Sequence, residues 1–258
     1  MADLIIKDSG VLARAELDIQ ITTAKAYPRN QQTFVDKAIS MVTMSKETAE
    51  SCIYCLIRRG KDGNTEIKGA SIRLAEIAAS CWGNIHSASR IIENDGRFIT
   101  AQAVCWDMEN NVKISAEIKR KITGKDGRTF SEDMQVVTGN AAAAIALRNA
   151  ILKVIPKALV DMVYESAVKH AIGDQKTFSS RRQEIFNRFN KMGIENQRIF
   201  DFFGKQSIDE FTQEDVTDLI GIGTSIKDGS LKIDKAFMPE QYEDVNTEEK
   251  LKSLINNQ

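Results

Sequence analysis

A chain of 258 residues, 42% hydrophobic and 28% charged with only three prolines, predicts a globular protein with room for one large core and a smaller module. No apolar run approaches the about 20 residues of a membrane helix, and the first residues lack the basic-then-apolar layout of a signal peptide, so a soluble, cytoplasmic protein without a membrane partner is expected. Four cysteines in no disulfide-like framework fit a reducing compartment, and the net charge of −1 hides +6 over residues 56–182 against −7 elsewhere, a distribution that suits a polyanion at the centre of the chain.

Residues 1–30 are mixed, with Tyr27-Pro28-Arg29-Asn30 marking a break. Residues 32–44 and 46–59 follow as two predicted amphipathic helices, the second through the i, i+3, i+4, i+7 face of Ala49, Cys52, Ile53 and Leu56. Cys52 and Cys55 form a C-x-x-C inside this predicted helix. Zinc would need two further ligands, and Cys81, Cys105, His86 and His170 offer no second pair. A redox motif would put the cysteines at the start of a helix after a strand, so packing of small core residues accounts for them better. Lys61–Asn64 is a predicted turn, and Ile67-Lys68-Gly69 leads into a predicted helix over 70–80, closed by Trp82-Gly83-Asn84. Its polar stripe is Arg73, Glu76 and Ser80, on which Arg73 either pairs with Glu76 or faces a ligand.

The period then changes. Residues 85–93, 98–106 and 112–122, joined by turns at 94–97 and 107–111, predict a three-stranded meander. In the third strand Val112, Ile114, Ala116, Ile118 and Ile122 face one way, with Arg120 the exception, while Lys113, Ser115, Glu117, Lys119 and Lys121 face the other. One face is thus a core and the other is wet and mostly cationic. Thr123–Arg128 is a basic hairpin tip carrying Lys125 and Arg128, and residues 129–138 can add a further strand. Next comes Gly139–Lys157, an alanine-rich helix with Asn140 as its N-cap and Pro156 as its stop. Its four consecutive alanines let a sheet approach closely. Arg148, Asn149 and Lys153 form a polar stripe about 140° wide, either the solvated side or charge presented into a groove. A helix over 158–172 precedes Gly173-Asp174. From Phe178 short helices over 180–192, 196–203 and 212–220 are punctuated by Gly193, Gly204 and Gly221–Gly223, and the end beyond Pro239 is acidic at first.

No G-x-x-x-x-G-K-[ST] and no G-x-G-x-x-G occurs, Gly221-Ile-Gly223 lacking the third glycine. With two histidines and no Asp/Glu/His cluster at metal-ligand spacing, the predicted protein is not an enzyme and has no cofactor. The elements predict an α+β fold, an antiparallel β-meander packed on long helices as a β-β-β-α core, with a small all-helical C-terminal module.

The order Ile67-Lys-Gly-Ala-Ser-Ile-Arg73, Trp82-Gly-Asn-Ile85, a meander, then an alanine-rich helix with Ala146-Leu-Arg148 resembles the core of single-strand annealing proteins. That group holds the RecT/Redβ/ERF phage recombinases and their eukaryotic Rad-fifty-two-like relatives. In the eukaryotic branch an I-x-G-x-R motif opens a helix, and its arginine looks like Arg73. A later Lys-Arg pair precedes Ala-Leu; its arginine falls on Arg148, while its lysine falls on Leu147, with Lys153 one turn on as a substitute. The resemblance covers residues 60–172. It implies ATP-independent annealing of single-stranded DNA in homologous recombination, an annealed duplex intermediate, a homo-oligomeric ring or helical filament, and the cytoplasm of a bacterial host. Lys113, Lys119, Lys121, Lys125 and Arg128 would form one wall of a groove, and Arg73, Arg148 and Lys153 its floor, with Asn149 of the same polar stripe a further DNA contact. Phe98, Trp82 and Trp106 would stack bases or fill the core. Residues 1–173 would be the binding and oligomerisation core, 174–237 a module contacting the host single-strand-binding protein or a phage exonuclease, and 238–258 an acidic flexible tail. The competing readings are an oligomeric scaffold that binds no DNA and a cysteine-based redox or zinc protein.

Overall fold

Alternation of apolar and polar residues from Ile85 to Lys121 builds the predicted meander. A computed structural model describes residues 2–60, 63–124 and 126–238. In chain order its elements are α1 (Ala2–Ala26), α2 (Gln31–Val42), α3 (Lys46–Ser51), β1 (Ile53–Gly60), β2 (Gly63–Ala70), α4 (Ile72–Trp82), β3 (Ile85–Asn94), β4 (Phe98–Asp107) and β5 (Val112–Lys121). Then follow α5 (Glu132–Val154), α6 (Lys157–Ile172), α7 (Phe178–Lys191), α8 (Asn196–Phe203) and α9 (Gln213–Lys227). The protein is α+β: β3, β4 and β5 form an antiparallel sheet in that order, packed on α5, and the C-terminal region is helical.

The chain folds as two units. The first is Met1–Met44 with Ser71–Ser166, and the second is Ser45–Ala70 with the residues from Ala167 on. The break expected at Gly173 is therefore not where the units divide. α3 and the β1–β2 hairpin belong with the C-terminal helices, because α9 packs directly on β1. The acidic tail predicted over 238–258 lies, Met238 apart, outside the described residues.

In the first unit, α5 meets the sheet through Gly139, Ala142, Ala146 and Ala150, all buried, against Ile99, Ala101, Ala103 and Cys105 of β4 and Ala116 of β5. A Cβ on Gly139 would stand 3.0 Å from Ile99 Cδ1 and 3.5 Å from Ile91 Cδ1, so the glycine makes room for the isoleucine side chains of the sheet. α5 begins at Glu132, two turns before the predicted cap. Asn140 is an exposed mid-helix residue, and the further strand predicted over 129–138 is reduced to one bridge between Thr123 and Thr129. Pro156 does end the helix, with Ile155 extended before it.

A buried ion pair ties the α1–α2 linker to the end of β4. The Arg29 guanidinium donates from Nη1 and Nη2 to both carboxylate oxygens of Asp107, at 2.5 and 2.7 Å, and lies 4.4 Å from the Trp82 ring centroid. Trp82 in turn meets Phe34 edge-on at 5.1 Å. Burial pushes the Asp107 carboxyl up, but hydrogen bonds from Arg29 and Asn110 and the Arg29 charge outweigh it and take it down to about 2.

In the second unit, the predicted helix over 46–59 is corrected. Only Lys46–Ser51 is helical, capped by the Ser45 hydroxyl on Thr48 N–H, and Ile53–Gly60 is a strand paired with Gly63–Ala70. Ile53, Tyr54, Cys55 and Leu56 are all buried, as in a strand covered on both sides. The glycines read as a turn at 221–223 lie inside α9, because Gly221 is where helix and strand touch. A Cβ there would stand 2.6 Å from Cys55 Cβ and N and 2.8 Å from Tyr54 C. Ser225 Oγ donates to Cys55 O at 2.6 Å, Lys68 Nζ lies 2.6 Å from Asp218 Oδ2, and the buried Glu50 carboxylate accepts from Arg181 and Arg188. α7, α8 and the end of the described chain close around Phe186, Phe189, Phe202, Phe211 and Phe237.

Two outcomes test this packing. Gly221→Ala is expected to cost about 1–3 kcal/mol in denaturant unfolding despite its better helix propensity, because backbone atoms cannot yield; Gly223→Ala, whose Cβ meets only Phe189 Cζ at 3.8 Å, is neutral or slightly stabilising. The depressed Asp107 carboxyl contributes stability that is present above pH 4 and lost as pH falls toward 2; in an acid titration of melting temperature, Asp107→Asn removes roughly 2 kcal/mol at neutral pH and flattens that limb.

Candidate nucleic-acid interface

Strand alternation gives the sheet a second face, opposite α5, and sequence register fixes what stands on it. From one end to the other, His86, Trp106 and Lys113 form a cross-strand row; then Ala88, Val104 and Ser115; then Arg90, Gln102 and Glu117; then Glu93, Thr100 and Lys119; and last Phe98 beside Lys121. A bulge between Ile91 and Glu93 returns Glu93 to this face. The β5 members of these rows are exposed, and the sheet packs on α5 on its other side.

The polar groups are joined across the strands. Arg90 Nη2 donates to Gln102 Oε1 at 3.4 Å, Gln102 Nε2 donates to Glu117 Oε1 at 2.9 Å, and Thr100 Oγ1 donates to Glu93 Oε2 at 3.1 Å. Lys119 Nζ stands 3.8 Å from both Glu93 and Asp95 and 5.0 Å from the Phe98 ring centroid, with half its side chain exposed. The face is thus cationic along β5 and near neutral along β3. The pairs that hold Lys119 are exposed, each worth about 0–1 kcal/mol.

At the Phe98 end the tip predicted over Thr123–Arg128 is formed. Gly124 N–H donates to Arg128 O, and Thr129 Oγ1 donates to Gly96 O, docking the tip on the β3–β4 turn. Arg97 is exposed on that turn, and the Arg128 side chain is 89% exposed, its Nε 3.7 Å from Asp126. Lys125 lies outside the described residues.

The single groove expected from the sequence is not formed. Lys113, Lys119 and Lys121 point away from α5, whereas Arg148, Asn149 and Lys153 are on α5, so the proposed wall and floor occupy opposite sides of the sheet. Arg148 is two residues past Ala146, about 200° round the helix, and is turned away from the strands with its Nε and Nη2 3.3 Å from Asn149 Oδ1. Arg73 lies in the first turn of α4, a helix that packs on α5, and pairs with Glu76 at 2.7 Å. Of the aromatics, Trp82 is core, while Phe98 and Trp106 are half-buried on the open face. Arg90, His86 and Arg97 belong to this surface and were missed; the signal was available in β3, whose alternation puts His86 and Arg90 in register with Trp106 and Gln102.

The cysteines are placed otherwise. Cys52 ends α3 and Cys55 is in β1, both buried; burial pushes their thiols up to about 11 and about 12, the opposite of an activated thiolate. Among the described residues no three His, Cys, Asp or Glu side chains come together in a way that could hold a metal ion, and no helix is long and apolar enough to cross a membrane. Compared with known proteins, the chain matches no family model, no curated protein and no solved structure.

Burial sets the order of thiol reactivity. In native protein at pH 8, a disulfide reagent is expected to titrate Cys81 alone, and slowly, while Cys52, Cys55 and Cys105 react only after denaturant is added; rapid reaction of two thiols without denaturant would restore the redox reading.

Proposed function

We propose that this protein anneals complementary single strands of DNA without nucleotide hydrolysis or covalent chemistry, as a recombination protein of a bacterial cytoplasm. The observation that carries the reading is the cationic face of the meander opposite α5, exposed along β5. Arg90, Lys113, Lys119 and Lys121 stand there against Glu93 and Glu117, and the surface runs on to Arg97 and Arg128. Cations spaced along an extended surface contact phosphates without reading sequence, which is the requirement for annealing any pair of complements. Exposed ion pairs such as Lys119 with Glu93 exchange readily for a phosphate. Arg73, Arg148 and Lys153, the residues of the family resemblance, with Asn149 beside Arg148, offer the annealed duplex a second surface on α4 and α5.

A homo-oligomer, ring or helical filament, goes with this role, since one sheet spans only a short length of strand. Two features support it. β3 is an open edge ten residues long, with Ile91 and Ile92 each 43% exposed, and α1 carries Val11, Leu12 and Ile19 in solvent. The residues after Gly173, with Asp209, Glu210 and Glu214 exposed or half-exposed, are the proposed contact for a host single-strand-binding protein or a phage exonuclease.

Labelled complementary oligonucleotides mixed without ATP test the reading. Pairing is expected to run faster with the protein than without it at low salt and to slow as salt rises. Lys113→Ala and Lys121→Ala, both exposed, should change stability by less than about 0.5 kcal/mol and each lower the slope of log K against log salt by about 0.7 for a single strand. A requirement for ATP, no acceleration, or an unchanged slope would each overturn the proposal.

A further inference from the structure

Two large aromatic rings stand where strand parity leaves them without a core to fill. The positions of β4 that face α5 hold Ile99, Ala101, Ala103 and Cys105, all buried, whereas Phe98 and Trp106 occupy the opposite parity. Each is half-buried on the face of the sheet opposite α5. Trp82 shows what a core tryptophan of this protein looks like: it is 4% exposed, edge-on to Phe34 and capped by Arg29. Phe98 and Trp106 have no such enclosure. They mark the two ends of the central strand, eight residues or about 26 Å apart at about 3.3 Å per residue.

Between the rings β4 carries Thr100, which is buried, and Gln102 and Val104, none larger than glutamine, with Gln102 bonded to Arg90 on one side and Glu117 on the other. Beside them runs β5, with Lys113 opposite Trp106, Lys121 opposite Phe98 and Lys119 over the Phe98 ring, and with Glu117 between Lys113 and Lys119 held by Gln102. β3, on the other side, balances Arg90 with Glu93. The net positive charge therefore lies on one flank, with an aromatic ring at each end of the middle strand. A single strand has the same cross-section, phosphates on one edge and bases on the other.

Resting on the single-strand reading, we infer that Trp106 and Phe98 are base-stacking residues. Bases lie flat on β4 while the sugar–phosphate backbone follows Lys113, Lys119 and Lys121 along β5. The Lys119 ammonium over Phe98 is a weak, exposed cation–π contact, and a phosphate draws it toward β5 and frees the ring. Every base has a π face, so such a platform is tolerant of sequence.

The test compares, at one salt concentration, an oligothymidine with a strand of equal length made of abasic deoxyribose phosphate. The wild-type protein is expected to bind the thymidine strand about tenfold or more tightly, with quenching of tryptophan emission. Trp106→Ala should abolish the quenching and lose about tenfold in thymidine affinity, leaving both the salt slope and the abasic affinity unchanged; Trp106→Phe should recover most of the affinity. The retained abasic affinity reports that the variant is folded. Equal wild-type affinity for the two strands overturns the stacking inference and leaves the single-strand reading standing. Binding to neither strand overturns both.

Discussion

Close approach of a helix to a sheet is the constraint on which this structure depends. α5 lies on the meander through Gly139, Ala142, Ala146 and Ala150, and the strands answer with Ala101, Ala103 and Ala116. Small side chains on both sides bring the backbones together and leave little space between them, so the layer is thin and its packing dense. α9 repeats the device on a smaller scale, where Gly221 stands against the backbone of Tyr54 and Cys55. One helix suffices to cover one side of the three strands. The bulky and charged residues of the meander collect on the other side.

Ion pairing follows the same division between inside and outside. Arg29 is committed to Asp107, Arg181 to Glu50, and Lys68 to the largely buried Asp218, in pairs whose loss would strand a buried charge. These are structural cations and are not free to meet a ligand. On the open face, Arg90 and Lys119 make long, half-exposed contacts that a phosphate replaces at little cost. Counting arginines and lysines in the basic centre of the chain mixes the two kinds, and only burial separates them.

The meander was legible because period-2 alternation over ten residues has no helical equivalent, and α8 because Gly193 and Gly204 punctuate the chain on either side of it. β1 was not. Cys52-Ile-Tyr-Cys-Leu-Ile57 is a short apolar run, and Ala49, Cys52, Ile53 and Leu56 match a helical face equally well. What makes it a strand is pairing with β2 and burial under α9, a helix more than 150 residues away in sequence. Gly221 and Gly223 misled for a related reason. A glycine that admits another backbone and a glycine that turns the chain look alike until the neighbour is known.

The candidate site shows the same limit one level higher. Sequence period says which residues share a face of one element, and for β5 it placed Lys113, Lys119 and Lys121 together. It does not say which side of the sheet a later helix takes, so the α5 cations were joined to the wrong surface. An open face also suits annealing better than a groove would. A groove that grips a strand from both sides must release it before a complement can pair. A strand held along one edge by β5 stays reachable over its whole length, and the proposed reading then needs no conformational step between capture and pairing.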